Sequence, residues 1–289
     1  MQAGDHRRDR PVGGDGVGVP GPARPAGTRR RGGVRTRAGG GLPVGELTGA
    51  TGAGAETAER AAPAELVLDL AEMATRHVNA ALRSLPDGAR ARLVNPAGRH
   101  NLAVGLTRAV RVTIAGPAGY YVGGLGEAAE VTVDGPVGWG AGENLMSGTV
   151  RVRGAASQSA AASAHGGLVV VEGDASLRAG ISLKGGRLAV AGDVGRYCAF
   201  LAQAGTILVG GDAGEALGDS LYEAVIYVAG RVRSLGTDAR ICDLTAADVA
   251  AVRVLAAQAG FDHVDPENVT RVASARRLYH FDTAHHGAY

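Results

Sequence analysis

Two short stretches of the chain contain residue types that could do chemistry. Gly218-Asp219-Ser220-Leu221, followed far downstream by Asp282 and His285, offers a serine, an acid and a base. A serine nucleophile needs a histidine within hydrogen-bonding reach and an acid that orients it. Gly138-Trp139-Gly140-Ala141-Gly142 has the glycine spacing of loops that cradle phosphate. Such loops work where a strand leads through the loop into a helix. Both interpretations therefore depend on the surrounding elements.

Metal and disulfide chemistry have little support in the sequence. Only His285 and His286 are adjacent among the eight histidines, and Cys198 and Cys242 lie far apart without a Cys-x-x-Cys pair. This spacing predicts no metal site in the chain. Two isolated cysteines give no disulfide framework and are typical of a protein in the reducing cytoplasm.

The dominant feature of the chain is a repeat with a constant period of 19 residues. An apolar–x–apolar–x–glycine motif occurs seven times, from VTIAG at Val112 to IYVAG at Ile226. The closing glycines keep the same interval and are Gly116, Gly135, Gly154, Gly173, Gly192, Gly211 and Gly230. A fixed period of this length indicates a solenoid, in which each repeat is one rung stacked on the next.

Each copy of the motif alternates apolar and polar side chains, as a strand with one buried face does. Val131 and Val133, for example, are predicted to face inward, and Thr132 to face outward. Cys198 falls in an inward column of small residues, so we expect a buried core thiol. The predicted fold class is all-β: a single-stranded parallel β-helix of about seven 19-residue rungs with short flanking helices. The general handedness of parallel connections favours a right-handed coil.

The repeat also accounts for both candidate motifs. Gly138 and Gly142 occupy positions that are small in most rungs, and the next element is another strand rather than a helix. Ser220 is in register with Asn144, Ser163, Ser182 and Leu201. We therefore predict no catalytic, cofactor-binding or metal-binding residue. A GDSL-like hydrolase that uses Ser220, or a carbohydrate-active β-helix enzyme, stays as a remote alternative.

One column of the repeat belongs neither to the core nor to the corners. Its members are large and chemically varied, and they are Glu127, Met146, His165, Lys184, Gln203 and Tyr222. Lys184 is the only lysine in the chain. A solvated face is the simplest explanation, and a surface that contacts other subunits is the alternative. We call these six residues the ridge column.

The segments outside the repeat differ in composition. Residues 1–63 contain 10 Arg against 6 acids but no Phe, Tyr, Trp, Ile or Cys, so we expect a disordered low-complexity tail or a misassigned start. The absence of interleaved aromatics argues against nucleic-acid binding, and no apolar run indicates a membrane span. Residues 64–92 are predicted to form a helical cap, residues 93–240 the β-helix, and residues 241–289 a helix with an extended tail.

Local signals mark both ends of the repeat. Leu93 lies 19 residues before Val112, which predicts an imperfect starter rung. Thr245 and Asp248 have the spacing of a capping box, and Gly260 is suited to end the helix that they begin. The helical spacing within residues 71–85 predicts a buried face formed by Met73, His77, Ala81 and Leu85.

Several phrases of the chain resemble one protein family. The phrases are GWGAG, ENLMSGTVRVRG (143–154), SQSAAASAHGG (157–167), GDAGEALGDSLYEA (211–224) and, upstream, LVNPAGRHNLAVG (93–105). They resemble the GXGXG β-helix domain at the C-terminal end of the glutamate synthase large subunit. The free-standing form of that domain is the small subunit of three-subunit glutamate-synthase-like or N-methylglutamate synthase complexes. The resemblance covers roughly residues 65–289.

The resemblance implies a structural subunit without an active site of its own, within a cytoplasmic oxidoreductase complex of nitrogen metabolism. In the family, glutamine hydrolysis belongs to an amidotransferase subunit, and amino transfer belongs to an FMN and iron–sulfur subunit. We therefore expect those two subunits as partners, with FMN and the cluster on a partner and no cofactor in this chain. Formylmethanofuran dehydrogenase also has a component with similar repeats, so the scaffold of a formylmethanofuran dehydrogenase-like complex is the alternative.

Overall fold

The computed structural model describes residues 65–276, and it confirms the predicted parallel β-helix. The expected disorder of residues 1–63 lies outside the described residues, as do residues 277–289. The rungs contribute β1 (Glu65–Asp69), β2 (Arg90–Val94), β3 (Arg111–Ile114), β4 (Glu130–Val133), β5 (Thr149–Val152), β6 (Leu168–Val171), β7 (Lys184–Val190), β8 (Ala204–Val209) and β9 (Val225–Val228). The flanking elements are α1 (Thr75–Ser84), β10 (Ala239–Cys242), α2 (Ala246–Ala259) and β11 (Thr270–Ser274).

The strands form one 11-stranded sheet in which β1 to β9 pair in parallel and in sequence order. From β3 to β9 the register follows the 19-residue period, so that Val112 pairs with Val131 and Val131 with Val150. The exception is an irregularity at the start of β7, where Lys184 pairs with Ala204. The inward side chains of neighbouring rungs therefore stack on each other. Val133 and Val171, for example, are both fully buried. This stack of Val, Leu, Ile and Ala is the core of the coil.

The starter rung exists, but its predicted register is wrong. Leu93 pairs with Ile114, 21 residues later, and Ala91 pairs with Val112. The rung is longer than the regular 19-residue rungs, and its loop after β2 contains left-handed residues, Asn95 (φ 55°) and Ala97 (φ 46°). A period measured on the regular rungs therefore does not extend to this one.

Each rung from β2 to β8 contains a segment in which every second residue is left-handed. In the GWGAG rung these residues are Gly140 (φ 69°), Gly142 (φ 67°) and Asn144 (φ 53°). The N–H of Gly140 donates to the carbonyl of Gln158 in the next rung, whereas that of Gly142 donates to Val122 in the preceding rung. Because glycine adopts positive φ without steric cost, the GWGAG spacing fits this segment. We call it the alternating segment.

The closing glycines have a different role. Among the seven, only Gly116 (φ 137°) has a left-handed φ. A Cβ on Gly154 would lie 2.8 Å from the carbonyl carbon of Gly135, and a Cβ on Gly173 would lie 3.0 Å from the same atom of Gly154. These glycines therefore allow successive rungs to approach closely at one corner.

The outer face of the sheet is open on the first rungs and covered on the later ones. The outward residue of β4 is the half-buried Thr132, whereas the corresponding residues of β6 to β9 are the buried Val170, Ala189, Leu208 and Tyr227. They pack against α2 in a second apolar cluster that includes Val252 and Leu255. The Arg151 guanidinium donates to the carbonyl of Ala259 (2.9 Å) and so holds the C-terminal end of α2.

Helix α2 has the predicted capping box of Thr245 and Asp248, and Gly260 (φ 77°) follows its last residue. Segment 241–289 contains more than a helix and an extended tail, because β11 inserts antiparallel between β9 and β10. The insertion satisfies the backbone groups that β9 would otherwise expose at an edge.

Segment 64–92 also contains more than a helix, because β1 pairs with β2. Helix α1 lies within the predicted range, and its buried residues are Val78, Asn79 and Leu82. Of the predicted face, Met73, Ala81 and Leu85 are partly buried against the core, whereas His77 is exposed. Asn79 bridges α1 to the starter rung: its amide donates to the carbonyl of Asn101 (2.7 Å) and accepts from the N–H of Ala103 (2.9 Å). The buried face of α1 therefore includes a polar side chain, which apolar spacing alone does not reveal.

Candidate functional site

The ridge column lies on successive rungs, at the point where each chain segment turns back toward the sheet. The Lys184 N–H donates to the carbonyl of Ala164 (2.9 Å), and the Gln203 N–H donates to that of Leu183 (2.7 Å). Five of the six residues are exposed and Tyr222 is half-buried. At about 4.8 Å per rung, the column spans roughly 24 Å of surface. Its contact with other subunits stays a prediction.

A second surface column was not recognised in the sequence. The rings of His100 and Tyr120 stack at 4.3 Å between centroids, and those of Tyr120 and Trp139 stack at 5.3 Å. Tyr120 is 41% exposed and Trp139 46% exposed. The His100 Nδ1 accepts the Tyr120 N–H (2.8 Å), which fixes the orientation of the imidazole. The signal was available, because Tyr120 and Trp139 lie one period apart.

In the residues that directly follow Tyr120 and Trp139, one tyrosine and one glutamate lie over a glycine. The Tyr121 ring and the Glu143 carboxylate both come within 3 Å of the place where a Cβ on Gly140 would lie. Tyr121 is 44% exposed and Glu143 is half-buried. Burial raises the pKa of Glu143 above its ordinary value, because a carboxylate partly withdrawn from water is less stable in its charged form. We call this the Tyr121–Glu143 site.

The last rungs carry a groove whose charges are paired within the chain. The Asp193 carboxylate accepts the Asp212 N–H (2.7 Å), and Asp212 in turn accepts the Arg231 N–H (2.8 Å). The Arg231 guanidinium also pairs with the Asp212 carboxylate at 2.7 Å. The hydrogen bonds from the Arg231 backbone and side chain lower the pKa of Asp212. Because these charges compensate each other, the groove is a less attractive binding site than the Tyr121–Glu143 site.

The two motifs that suggested chemistry lie on regular parts of the coil. Ser220 is half-buried and left-handed (φ 56°), and its hydroxyl donates to the carboxylate of the neighbouring Asp219 (3.0 Å). The expected base and acid, His285 and Asp282, lie outside the described residues. The GWGAG segment leads to β5 and not to a helix, so the strand–loop–helix arrangement of a phosphate loop is not formed there.

Cys198 is fully buried, as expected, and burial raises the pKa of its thiol to about 12. Cys242 is half-buried on β10. Between Glu65 and Arg276 there is no cluster of three His, Cys, Asp or Glu side chains that could hold a metal ion. The two helices of this region have 10 and 14 residues, and neither is long and apolar enough to cross a membrane.

The fold and its surface columns define a parallel β-helix protein with an exposed ridge and an aromatic stack on its regular rungs. No model of a known protein family matches the chain. The chain is similar to protein GlxC of Rhizobium meliloti (strain 1021), with 42% identity over 74 residues. The match covers 26% of this chain and 32% of GlxC, so the chain spans about a third of that relative's length.

Proposed function

We propose that this chain is a structural subunit of a glutamate-synthase-like complex. In this proposal it joins a glutamine amidotransferase subunit to an FMN and iron–sulfur synthase subunit, as in three-subunit glutamate-synthase-like or N-methylglutamate synthase systems. The observation that carries the proposal is the resemblance of the rung and flanking phrases, within one uninterrupted coil, to the GXGXG domain. The partial similarity to GlxC supports a glutamate-synthase-related subunit.

The proposed role is geometric. Each rung from β2 to β8 is hydrogen-bonded to the rung before it and to the rung after it, so the ordered state of one rung depends on its neighbours. A coil built in this way resists bending and can hold two active sites at a fixed separation. The ridge column offers a line of varied side chains, which supports its assignment as an interface with a partner. FMN and the iron–sulfur cluster would be bound by a partner, in the cytoplasm.

Affinity purification of the full chain from its native cell tests the function. Mass spectrometry should identify a glutaminase-type protein and a flavin-type protein in the same fraction, and the fraction should show flavin absorption. A molybdopterin enzyme in place of these proteins would favour the formylmethanofuran dehydrogenase-like alternative. A colourless chain without partners under gentle conditions would refute the assignment.

Charge reversal tests the ridge column within the same experiment. Lys184→Glu combined with His165→Glu should reduce the recovery of at least one partner. The matched control is Arg90→Glu, an exposed arginine on β2 outside the column. Equal recovery of both partners with the ridge variant and the control would contradict the role of the ridge.

A further inference from the structure

One rung of the coil shows how a tyrosine of the alternating segment binds a guanidinium. The Arg196 guanidinium carbon lies 5.8 Å from the centroid of the Tyr197 ring. The Arg196 Nε pairs with the Glu215 carboxylate at 3.1 Å. The arginine is thus held by an aromatic ring and by a carboxylate at the same time, the two partners that suit a planar cation.

Tyr121 occupies the same repeat position as Tyr197, four periods earlier in the chain. Its ring lies across Gly140, next to the Glu143 carboxylate: a Cβ on Gly140 would lie 2.8 Å from the ring and 2.7 Å from Glu143 Oε2. Because Gly140 has no side chain, the ring and the carboxylate can both lie close over its backbone. An aromatic ring and a carboxylate therefore meet again at the surface, although Glu143 does not share the repeat position of Glu215, which corresponds to Trp139.

The two rungs differ in the source of the cation. The position of Arg196 is occupied four periods earlier by Tyr120, whose ring stacks between His100 and Trp139. Within residues 65–276, no basic side chain pairs with Glu143 and no guanidinium lies over the Tyr121 ring. Partial burial makes the charged form of the Glu143 carboxylate less stable, and a cation beside it would stabilise that form.

We propose that the Tyr121–Glu143 site binds an arginine side chain that a partner protein presents. The guanidinium would stack on the Tyr121 ring and donate to the Glu143 carboxylate. Arginine fits better than lysine, because a planar guanidinium can stack and form directed hydrogen bonds together. The identity of the partner as a member of the complex rests on the proposed function.

The site has a built-in reporter, because Trp139 is the only tryptophan of the chain. The full chain is titrated with N-acetylarginine amide while tryptophan fluorescence is recorded at constant ionic strength. We expect a saturable change with a dissociation constant of about 1–10 mM, as for one charged and stacked contact. The citrulline analogue, which has nearly the same shape without the charge, should give no saturable change.

Variants separate this site from general attraction of the cation. Glu143→Gln keeps the shape of the side chain and should weaken binding about tenfold or more. Tyr121→Asn removes the ring with a residue that tolerates the local φ of 60°, and it should also weaken binding. The matched control, Glu72→Gln, neutralises an exposed glutamate elsewhere and should leave the titration unchanged.

The proposal is overturned if arginine amide gives no saturable change, or if Glu143→Gln and Tyr121→Asn both bind it as the unmodified chain does. The titration uses the isolated chain, so its result is separate from the purification test. Arginine binding without co-purified partners would refute the proposed function alone. Co-purified partners without arginine binding would refute this inference alone.

Discussion

Replacing Asp248 by asparagine should loosen the C-terminal helix from the last rungs of the coil. The Asp248 carboxylate is buried and accepts four hydrogen bonds. The Tyr227 hydroxyl (2.6 Å) and Arg271 Nε (3.0 Å) donate to Oδ1, and the Thr245 N–H (2.9 Å) and hydroxyl (2.6 Å) donate to Oδ2. One side chain thus joins α2, β9 and β11. An asparagine has only one acceptor oxygen and no charge for Arg271.

The size of the effect follows from the pKa of Asp248. Burial alone would raise this pKa, but the hydrogen bonds from Thr245 and Tyr227 and the charge of Arg271 lower it to about 2. Compared with about 3.9 in an unfolded chain, this difference is worth about 2–3 kcal/mol of folding free energy. Because the folded pKa is the lower one, the stabilisation is present above pH ~4 and is lost as the pH falls toward 2.

Thermal unfolding of the full chain and of the Asp248→Asn variant measures this contribution. At pH 7 the variant should unfold roughly 5–10 °C lower, given about 2–4 °C per kcal/mol for chains of this size. Between pH 4 and pH 2 the two curves should converge, because the unmodified carboxylate becomes protonated as well. Asp243→Asn, at an exposed residue just before α2, is the control and should change little.

Two results would refute this reasoning. Equal melting temperatures at pH 7 would mean that the four hydrogen bonds contribute nothing measurable to the folded state. A difference that stays constant from pH 7 to pH 2 would mean that the charge of Asp248 is not the source of the stability.

Three further predictions concern the coil itself. Gly154→Ala should destabilise the chain by about 1–3 kcal/mol in urea unfolding, because the added Cβ would lie 2.8 Å from backbone of the preceding rung; unchanged stability would contradict the close approach. Leu208→Ala should lower the free energy of unfolding by about 2–5 kcal/mol, although Leu208 faces outward from the coil. Thr132→Ala, at the corresponding position that α2 does not cover, should lower it by less than about 1 kcal/mol. Equal losses of stability in the two variants would contradict the covering of the sheet by α2. A thiol reagent at pH 8 should modify Cys242 in the folded chain and Cys198 only after unfolding, since burial raises the Cys198 pKa to about 12; rapid double labelling would contradict this.

The coil was predictable because its determinants are local and repeated. The alternation in Val131-Thr132-Val133 gives the strand and its inward face, and seven copies with one period give the stack. The docking of α2 depends on contacts between residues far apart in the chain. It nevertheless leaves a trace, since the outward column changes from the polar Thr132 to apolar residues such as Leu208. The insertion of β11 leaves no such trace, because an irregular segment has no period to compare.

The candidate sites likewise include one that the repeat predicts and one that it does not. The ridge column was found because its residues share one repeat position, and the structure places five of the six at the surface. Tyr121 and Glu143 do not share a repeat position, and column analysis therefore separates them. Tyr121 and Gly140 have left-handed backbone, and in the fold the side chains of Tyr121 and Glu143 both lie over that glycine.

Because the regular rungs are hydrogen-bonded to each other in the same way, the coil can be shortened or lengthened by whole rungs. Each regular rung presents the same pattern of donors and acceptors to both neighbours, so removal of one period brings together two surfaces that already match. Deletion of residues 131–149, on the part of the sheet that α2 leaves open, would shorten the coil by about 4.8 Å and keep every later register. Duplication of the same residues would lengthen it by the same step. The number of rungs therefore determines the length of the coil, and the distance between two bound partners would change in steps of one rung.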